Sequence, residues 1–229
     1  MTNELLFILF TLFCLGSALL CYRFGRAGLE IYIIVSTVTL YCAGGKLISL
    51  FGFTVNFSTA TYAGIFLATD ILTEKYGKEA GYKMIRRAFA AALLFMAILQ
   101  FSLLFTPVPY IEALSGGMDT VFGTSLRLFF ASITAYLVAQ HLDVWLYHFF
   151  QTKTGGKYLW LRNNFSTSIS QCVDSIMFLT IAFYGVVPNL IEIIWVGYIA
   201  KLLIALCDTP FMYLSRKITP LDLKIYEAK

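Results

Sequence analysis

Charge is what this sequence has little of. Asp, Glu, Lys and Arg make up 13% of the 229 residues, against 59% hydrophobic. A soluble domain carries roughly 25% charged residues, so an ordinary water-soluble fold is excluded. Proline is scarce at five residues, which leaves few obligatory breaks in a helix. The five cysteines, at 14, 21, 42, 172 and 207, all fall in apolar runs. They have neither CxxC spacing nor histidine neighbours, so they read as small packing residues. No GxSxG, HExxH or GxxxxGK[ST] occurs, so hydrolase, metalloprotease and ATPase chemistry have no motif to rest on, and no cofactor is called for. His141 and His148, seven apart, lack the further ligands a metal site needs and read as packing residues. The net charge of +4 comes without a basic patch interleaved with exposed aromatics, so nucleic acid is not an expected partner.

What is there is a series of apolar runs, each near the ~20 residues that cross a bilayer. They cover about Leu5–Leu20, Leu29–Phe51, Phe57–Thr73, Ala88–Phe105, Val121–Phe150, Trp160–Tyr184 and Leu190–Leu214. Residues 107–121 read as a loop, and Pro188 separates the last two runs. The segment Met1-Thr2-Asn3-Glu4 carries an acid and no base, unlike a signal peptide, so the first run is expected to be a retained helix. The pattern predicts an all-α polytopic membrane protein, a bundle of about seven transmembrane helices forming one domain over 1–229.

Alternate turns carry Arg23 and Arg26; Lys75, Lys78, Lys83, Arg86 and Arg87; Lys153, Lys157 and Arg162; and Arg216, Lys217, Lys224 and Lys229. That is 14 of the 17 basic residues. The opposite turns, near 52–56, 107–120 and 185–189, hold none. The positive-inside rule then puts the N-terminus outside and the C-terminus in the cytoplasm.

Polar groups inside a span cost from about 2.5 kcal/mol upward for a charge at the helix centre, so each needs a reason. As a helix, Trp160–Ser175 puts Asn164, Ser168, Gln171 and Ser175 on one stripe, with Asp174 beside it. Such a column should face the protein interior or a wet cavity, as the wall of a solute site would. The topology places Asp174 and Lys201 near the midplane. It puts Asp70, Gln140, Asp143 and Asp208 in the cytoplasmic half and Arg127 and Lys46 in the outer half. The plain alternative is that acids pair with bases and hold the bundle together. Lys46 can snorkel to the surface, and Glu74 reads as an interfacial charge beside Lys75 and Lys78. Lys201 and Asp208 share a face, seven residues apart, and can belong to one network. Tyr62, Phe66, Tyr136 and Tyr213 are candidates to stack on a planar ligand.

Four segments carry a family resemblance. Ile65-Phe-Leu-Ala-Thr-Asp-Ile-Leu-Thr-Glu-Lys-Tyr-Gly77 resembles the FLATDxxxExYG segment of the queuosine precursor transporter family, also called the vitamin uptake transporter family. Arg127–Asp143 (RxxxASxxAYxxxQxxDV), Asn164–Ser175 (ending QxxDS) and Lys201–Tyr213 (KxxxALxxTPxxY) resemble its other hallmarks, in order, over about residues 55–215. The resemblance implies a six-helix core, about 29–215, with the first run added at the N-terminus. It implies a multi-pass importer in the bacterial inner membrane. The substrate would be a 7-deazaguanine base: 7-cyano-7-deazaguanine, 7-aminomethyl-7-deazaguanine or queuine, salvaged for tRNA queuosine. Asp70, Arg127, Gln140, Asp143, Asp174 and Lys201 carry over by matching position, and Gln171 stands where family members vary between amides.

The chemistry suits such a base. A carboxylate accepts from a ring N–H and an exocyclic amine, and an amide donates to a carbonyl oxygen. Asp174, Gln171, Asn164, Ser168, Asp70 and Gln140 are the expected binding residues; Arg127, Lys201, Asp143 and Asp208 form the expected charge network and gate. Alternating access about a midplane site is the expected mechanism. Proton coupling through Asp70, Asp143 or Asp174 and facilitated diffusion are both open, as is a homodimer. Another flat vitamin-like solute is the leading alternative, and a non-transporting membrane scaffold the more distant one.

Overall fold

A computed structural model describes residues 2–43, 46–122, 126–185 and 190–222. Among them are α1 (Asn3–Tyr22), α2 (Arg26–Ala43), β1 (Leu47–Leu50), β2 (Phe53–Asn56), α3 (Thr59–Tyr76), α4 (Lys78–Ser102), a 3-10 turn (Pro109–Ile111), α5 (Glu112–Phe122), α6 (Leu126–Lys153), α7 (Leu159–Phe183), α8 (Leu190–Leu206) and α9 (Thr209–Ser215). Among the described residues the architecture is all-α apart from one hairpin, and four stretches are long and apolar enough to cross a membrane on their own: Asn3–Tyr22, Lys78–Ser102, Leu159–Phe183 and Ile193–Ser215.

The most enclosed element is α3. Fourteen of its residues are buried, from Thr59 almost without interruption to Thr73. A helix buried on all sides must be small or apolar nearly everywhere, and Ala60, Ala63, Gly64, Ala68 and Thr69 let α1, α2, α4, α6, α8 and α9 close around it. At Gly64 the approach leaves no room for a side chain. A Cβ there would stand 2.1 Å from the Tyr32 hydroxyl, which itself donates to the Cys14 carbonyl at 2.8 Å. That contact locks α1, α2 and α3 together. Gly77, with φ +87°, then turns the chain so sharply that α4 starts at the next residue.

Four sequence expectations change. The charged stretch from Lys78 to Arg87, expected as a turn, is the first part of α4. The second run does not continue as a helix to Phe51. It ends at Ala43, and residues 47–56 form an antiparallel hairpin in which Leu47 faces Asn56 and Leu50 faces Phe53. Phe51 and Gly52 both have positive φ (50° and 82°), as a tight two-residue hairpin turn requires. The hairpin rests on the start of α1, where the Phe51 N–H donates to Glu4 and the Asn3 amide to the Ser49 carbonyl. The loop at 107–121 holds a helix, α5, despite Gly116 and Gly117. The seventh run is interrupted at Cys207–Asp208. Pro210 has no N–H to give the Leu206 carbonyl, so α8 stops and α9 restarts. Gly44–Gly45 and the turn holding Pro188 lie outside the described residues.

One end of the bundle gathers the basic turns. The Arg23 carbonyl accepts from the Leu221 N–H, and the Asp222 carboxylate accepts from the Arg26 N–H at the start of α2 and from the Tyr76 hydroxyl at the end of α3. Arg87 on α4 reaches Glu30 on α2. The end of α1, the start of α2, the end of α3, the start of α4 and the C-terminal segment therefore meet there.

Candidate functional site

Four residues four apart on α3, Tyr62, Phe66, Asp70 and Glu74, lie on one stripe. At 1.5 Å per residue they span about 18 Å of helix. Three polar layers are built against that stripe, one beside each of its levels.

The layer at the basic end centres on Glu74. Its carboxylate takes Arg162 of α7 and Arg216 beyond α9 as ion-pair partners, the latter at 2.8 Å. It also accepts from Tyr147 (3.2 Å) and Gln151 (3.0 Å) of α6. Arg162 is 1% exposed, donates to the Gly156 carbonyl and lies over the Tyr147 ring. One carboxylate thus ties α3, α6, α7 and the end of α9. This cluster was not legible as such, because Glu74 and Arg162 each sit beside surface lysines in the sequence. The i, i+4 repeat from Tyr62 was the available signal.

The middle layer holds Asp70 and Asp143, both fully buried. Their carboxyl groups lie close enough to interact across the α3–α6 interface. The Ser170 hydroxyl of α7 donates to Asp143 Oδ1 at 3.0 Å. Gln140, one turn earlier on α6, is buried with both amide atoms lacking a protein partner. Close by, Asp208 at the α8–α9 interruption accepts from Asn163 at 2.6 Å.

The third layer is an ion pair between Lys201 of α8 and Asp174 of α7. The Lys201 ammonium also stands 5.5 Å from the Tyr62 ring centre, and Tyr62 and Phe66 are tilted neighbours at 6.3 Å. Asp174 Oδ1, Gln171 Oε1 and Ser175 Oγ are buried here without a protein partner. Lys201 keeps 17% of its side chain exposed, while Asp174 is 3% exposed.

The structure redistributes several expected residues. Lys201 pairs with Asp174, while Asp208 beyond the helix interruption binds Asn163, so the two do not share a network. Arg127 does not reach a buried acid. It donates to the carbonyls of Ile181 and Tyr184, capping the end of α7. Asn164 donates to Trp160 O and Thr209 Oγ1, anchoring α7 to α9. Ser168 is half-buried on the flank. The buried face of α7 runs through Asn163, Ser166, Thr167, Ser170, Gln171, Asp174 and Ser175, so Gln171 and Ser175 of the expected stripe lie on it, while Asn164 and Ser168 lie beside it. Tyr136 is buried on α6, and Tyr213 is exposed. Lys46 is exposed beside β1. His141 bonds the Leu137 carbonyl and stacks on Tyr82, and His148 meets Gln151. Among the described residues no three His, Cys, Asp or Glu are grouped to hold a metal.

A family model described as "Putative vitamin uptake transporter" matches residues 56–215. The chain belongs to that family. The vitamin uptake transporters are transport proteins rather than enzymes, and the match covers the three layers except Arg216 and both helices that flank the α8–α9 interruption. A "Probable queuosine precursor transporter" of Bacillus subtilis is 32% identical over 226 residues, covering 97% of this chain and 98% of the relative. Another protein of that description, from Haemophilus influenzae, is 30% identical over 165 residues, covering 68% of this chain and 66% of the relative. No solved structure matches. The chain is a multi-pass membrane transporter by family and by its apolar helices.

Proposed function

We propose that this transporter imports queuosine precursors, 7-cyano-7-deazaguanine, 7-aminomethyl-7-deazaguanine or queuine, across the bacterial inner membrane. The chain crosses seven times in this reading, with the N-terminus outside and the Glu74 layer at the cytoplasmic end. The basic residues gathered at that end support this orientation.

The observation that carries the substrate is the third layer. It combines an aromatic pair, Tyr62 and Phe66, with buried acceptors that lack partners, Asp174 Oδ1 and Gln171 Oε1. A deazaguanine presents a flat face to stack and a guanidine-like edge to donate. Asp174 accepts from that edge, the Gln171 amide donates to the ring carbonyl, and Lys201 holds Asp174 charged while the site is empty. The Glu74 layer closes the path below it, and opening that layer releases the base to the cytoplasm in an alternating-access cycle. The family description, which names vitamins, favours as second reading another flat, nitrogen-rich vitamin on the same residues.

The test is a bacterium that neither synthesises nor imports the precursor, expressing this chain. Each precursor is fed at low concentration, and queuosine in tRNA is scored by boronate gel. Queuosine should return with the chain and vanish in Asp174→Ala that still reaches the membrane. Protein in the membrane with no gel shift for any precursor would remove the deazaguanines in favour of the vitamin reading.

A further inference from the structure

Asp70 and Asp143 differ from Glu74 and Asp174 in what surrounds them. Glu74 has two guanidiniums and Asp174 an ammonium. Asp70 and Asp143 have each other, and among the described residues neither forms an ion pair with a base. Both are sealed from solvent. Ser170 gives a donor to one Asp143 oxygen, but the other oxygen and both oxygens of Asp70 have no protein donor. The neighbouring Gln140 amide, fully buried on the same stripe of α6, is unpartnered at both ends. The ionisable groups facing the pair from the packed elements are Glu74 on α3, Tyr147 on α6 and Asp208 at the α8–α9 interruption. From α7 come the hydroxyls of Ser166, Thr167 and Ser170. None of these groups brings a positive charge.

Two carboxylates side by side, away from water and without a cation, repel and lose their hydration together. One proton between them removes a charge and creates an O–H donor that the other carboxyl can accept. We propose that the Asp70–Asp143 pair is a proton-binding site, and that a proton taken up there from outside and released inside drives solute import. In the outward-open state one carboxylate takes a proton and becomes a carboxyl group that donates to its partner. In the inward-open state the same O–H bond breaks to the cytoplasm and the carboxylate is restored, so one proton crosses per solute. The pair is one layer below the solute site, where the inner end of a bound base can sense its state through Gln140 and Phe66. The inference rests on the importer reading above.

Infrared difference spectroscopy of the full-length protein in lipid tests the proton without needing any solute. A protonated carboxyl gives its own carbonyl stretch. Wild type should show that band grow on acidification and shrink on alkalinisation, and Asp143→Asn, whose amide can still donate to Asp70, should lose it while keeping its melting temperature within a few degrees. In liposomes, a gradient acid outside should raise 7-cyano-7-deazaguanine accumulation about tenfold per pH unit for one proton per neutral solute. Asp143→Asn should lose that response. A wild type with no titrating carboxyl band, a band unchanged in Asp143→Asn, or wild-type uptake indifferent to the gradient would each overturn the proposal. A band that behaves as expected, with no precursor taken up under any gradient, supports the proton site and removes the deazaguanine substrate instead.

Discussion

Lys201 of α8 and Asp174 of α7 pair directly, and the ammonium that closes the pair also faces the ring of Tyr62. Removing the cation alone strands a carboxylate that is 3% exposed. Lys201→Met should therefore destabilise by about 3 kcal/mol, the low end for a broken buried pair because Lys201 is partly open. The double variant Asp174→Asn/Lys201→Met should recover most of that stability and none of the uptake. Thermal unfolding in detergent beside precursor uptake separates the two roles. A double variant as unstable as the single one would mean the pair is not the reason.

Glu74 and its two arginines are unequal partners. Arg162 is buried and Arg216 is 41% exposed. Glu74→Gln leaves the Arg162 guanidinium uncompensated in the interior, so a loss of about 3 kcal/mol is expected. Arg216→Gln should cost less than about 1 kcal/mol, since solvent screens that pair. Equal losses would show that Arg162 finds other partners when Glu74 is neutral.

Gly64→Ala puts a methyl group against the Tyr32 hydroxyl, and overpacking of this kind costs about 1–3 kcal/mol. Tyr32→Phe removes the nearest atom, leaving a ring carbon 3.2 Å away as the next contact. The double variant should therefore unfold at a higher temperature than Gly64→Ala alone. An additive loss would place the strain elsewhere.

The topology is readable with single cysteines in a background free of the native five. Thr106→Cys should react with an impermeant maleimide added to whole cells, and Lys157→Cys only after the membrane is opened. Both positions are exposed, Thr106 beyond the end of α4 and Lys157 between α6 and α7. The reverse pattern would invert the chain.

Much of this was legible in the sequence where depth alone decides. Asp174 and Lys201 were expected at similar depth from the topology, and they pair. The motif segments span about 55–215, and the family match covers 56–215. Rotation was harder to read. The buried face of α7 keeps Gln171 and Ser175 but not Asn164 and Ser168, because a helix packed against α6, α8 and α9 has polar groups on more than one face, so periodicity alone does not choose among them. The helix interruption at Asp208 was hidden inside an apolar run, although Pro210 is the residue that causes it. The hairpin was missed for a similar reason: its first strand is apolar enough to read as the end of the preceding span, and its second fell in the stretch read as a turn near 52–56.

That interruption divides the last membrane element into a long arm and a short one. Lys201, which grips Asp174, rides on the long arm; Arg216, which grips Glu74, follows the short one. An unbroken helix would transmit any roll or slide of one cation to the other. Here the turn at Cys207–Asp208 separates the two handles. In the cycle proposed above, the clasp near the proposed solute layer and the clasp at the basic end come undone one at a time, which is the mechanical condition for never holding both doors open at once.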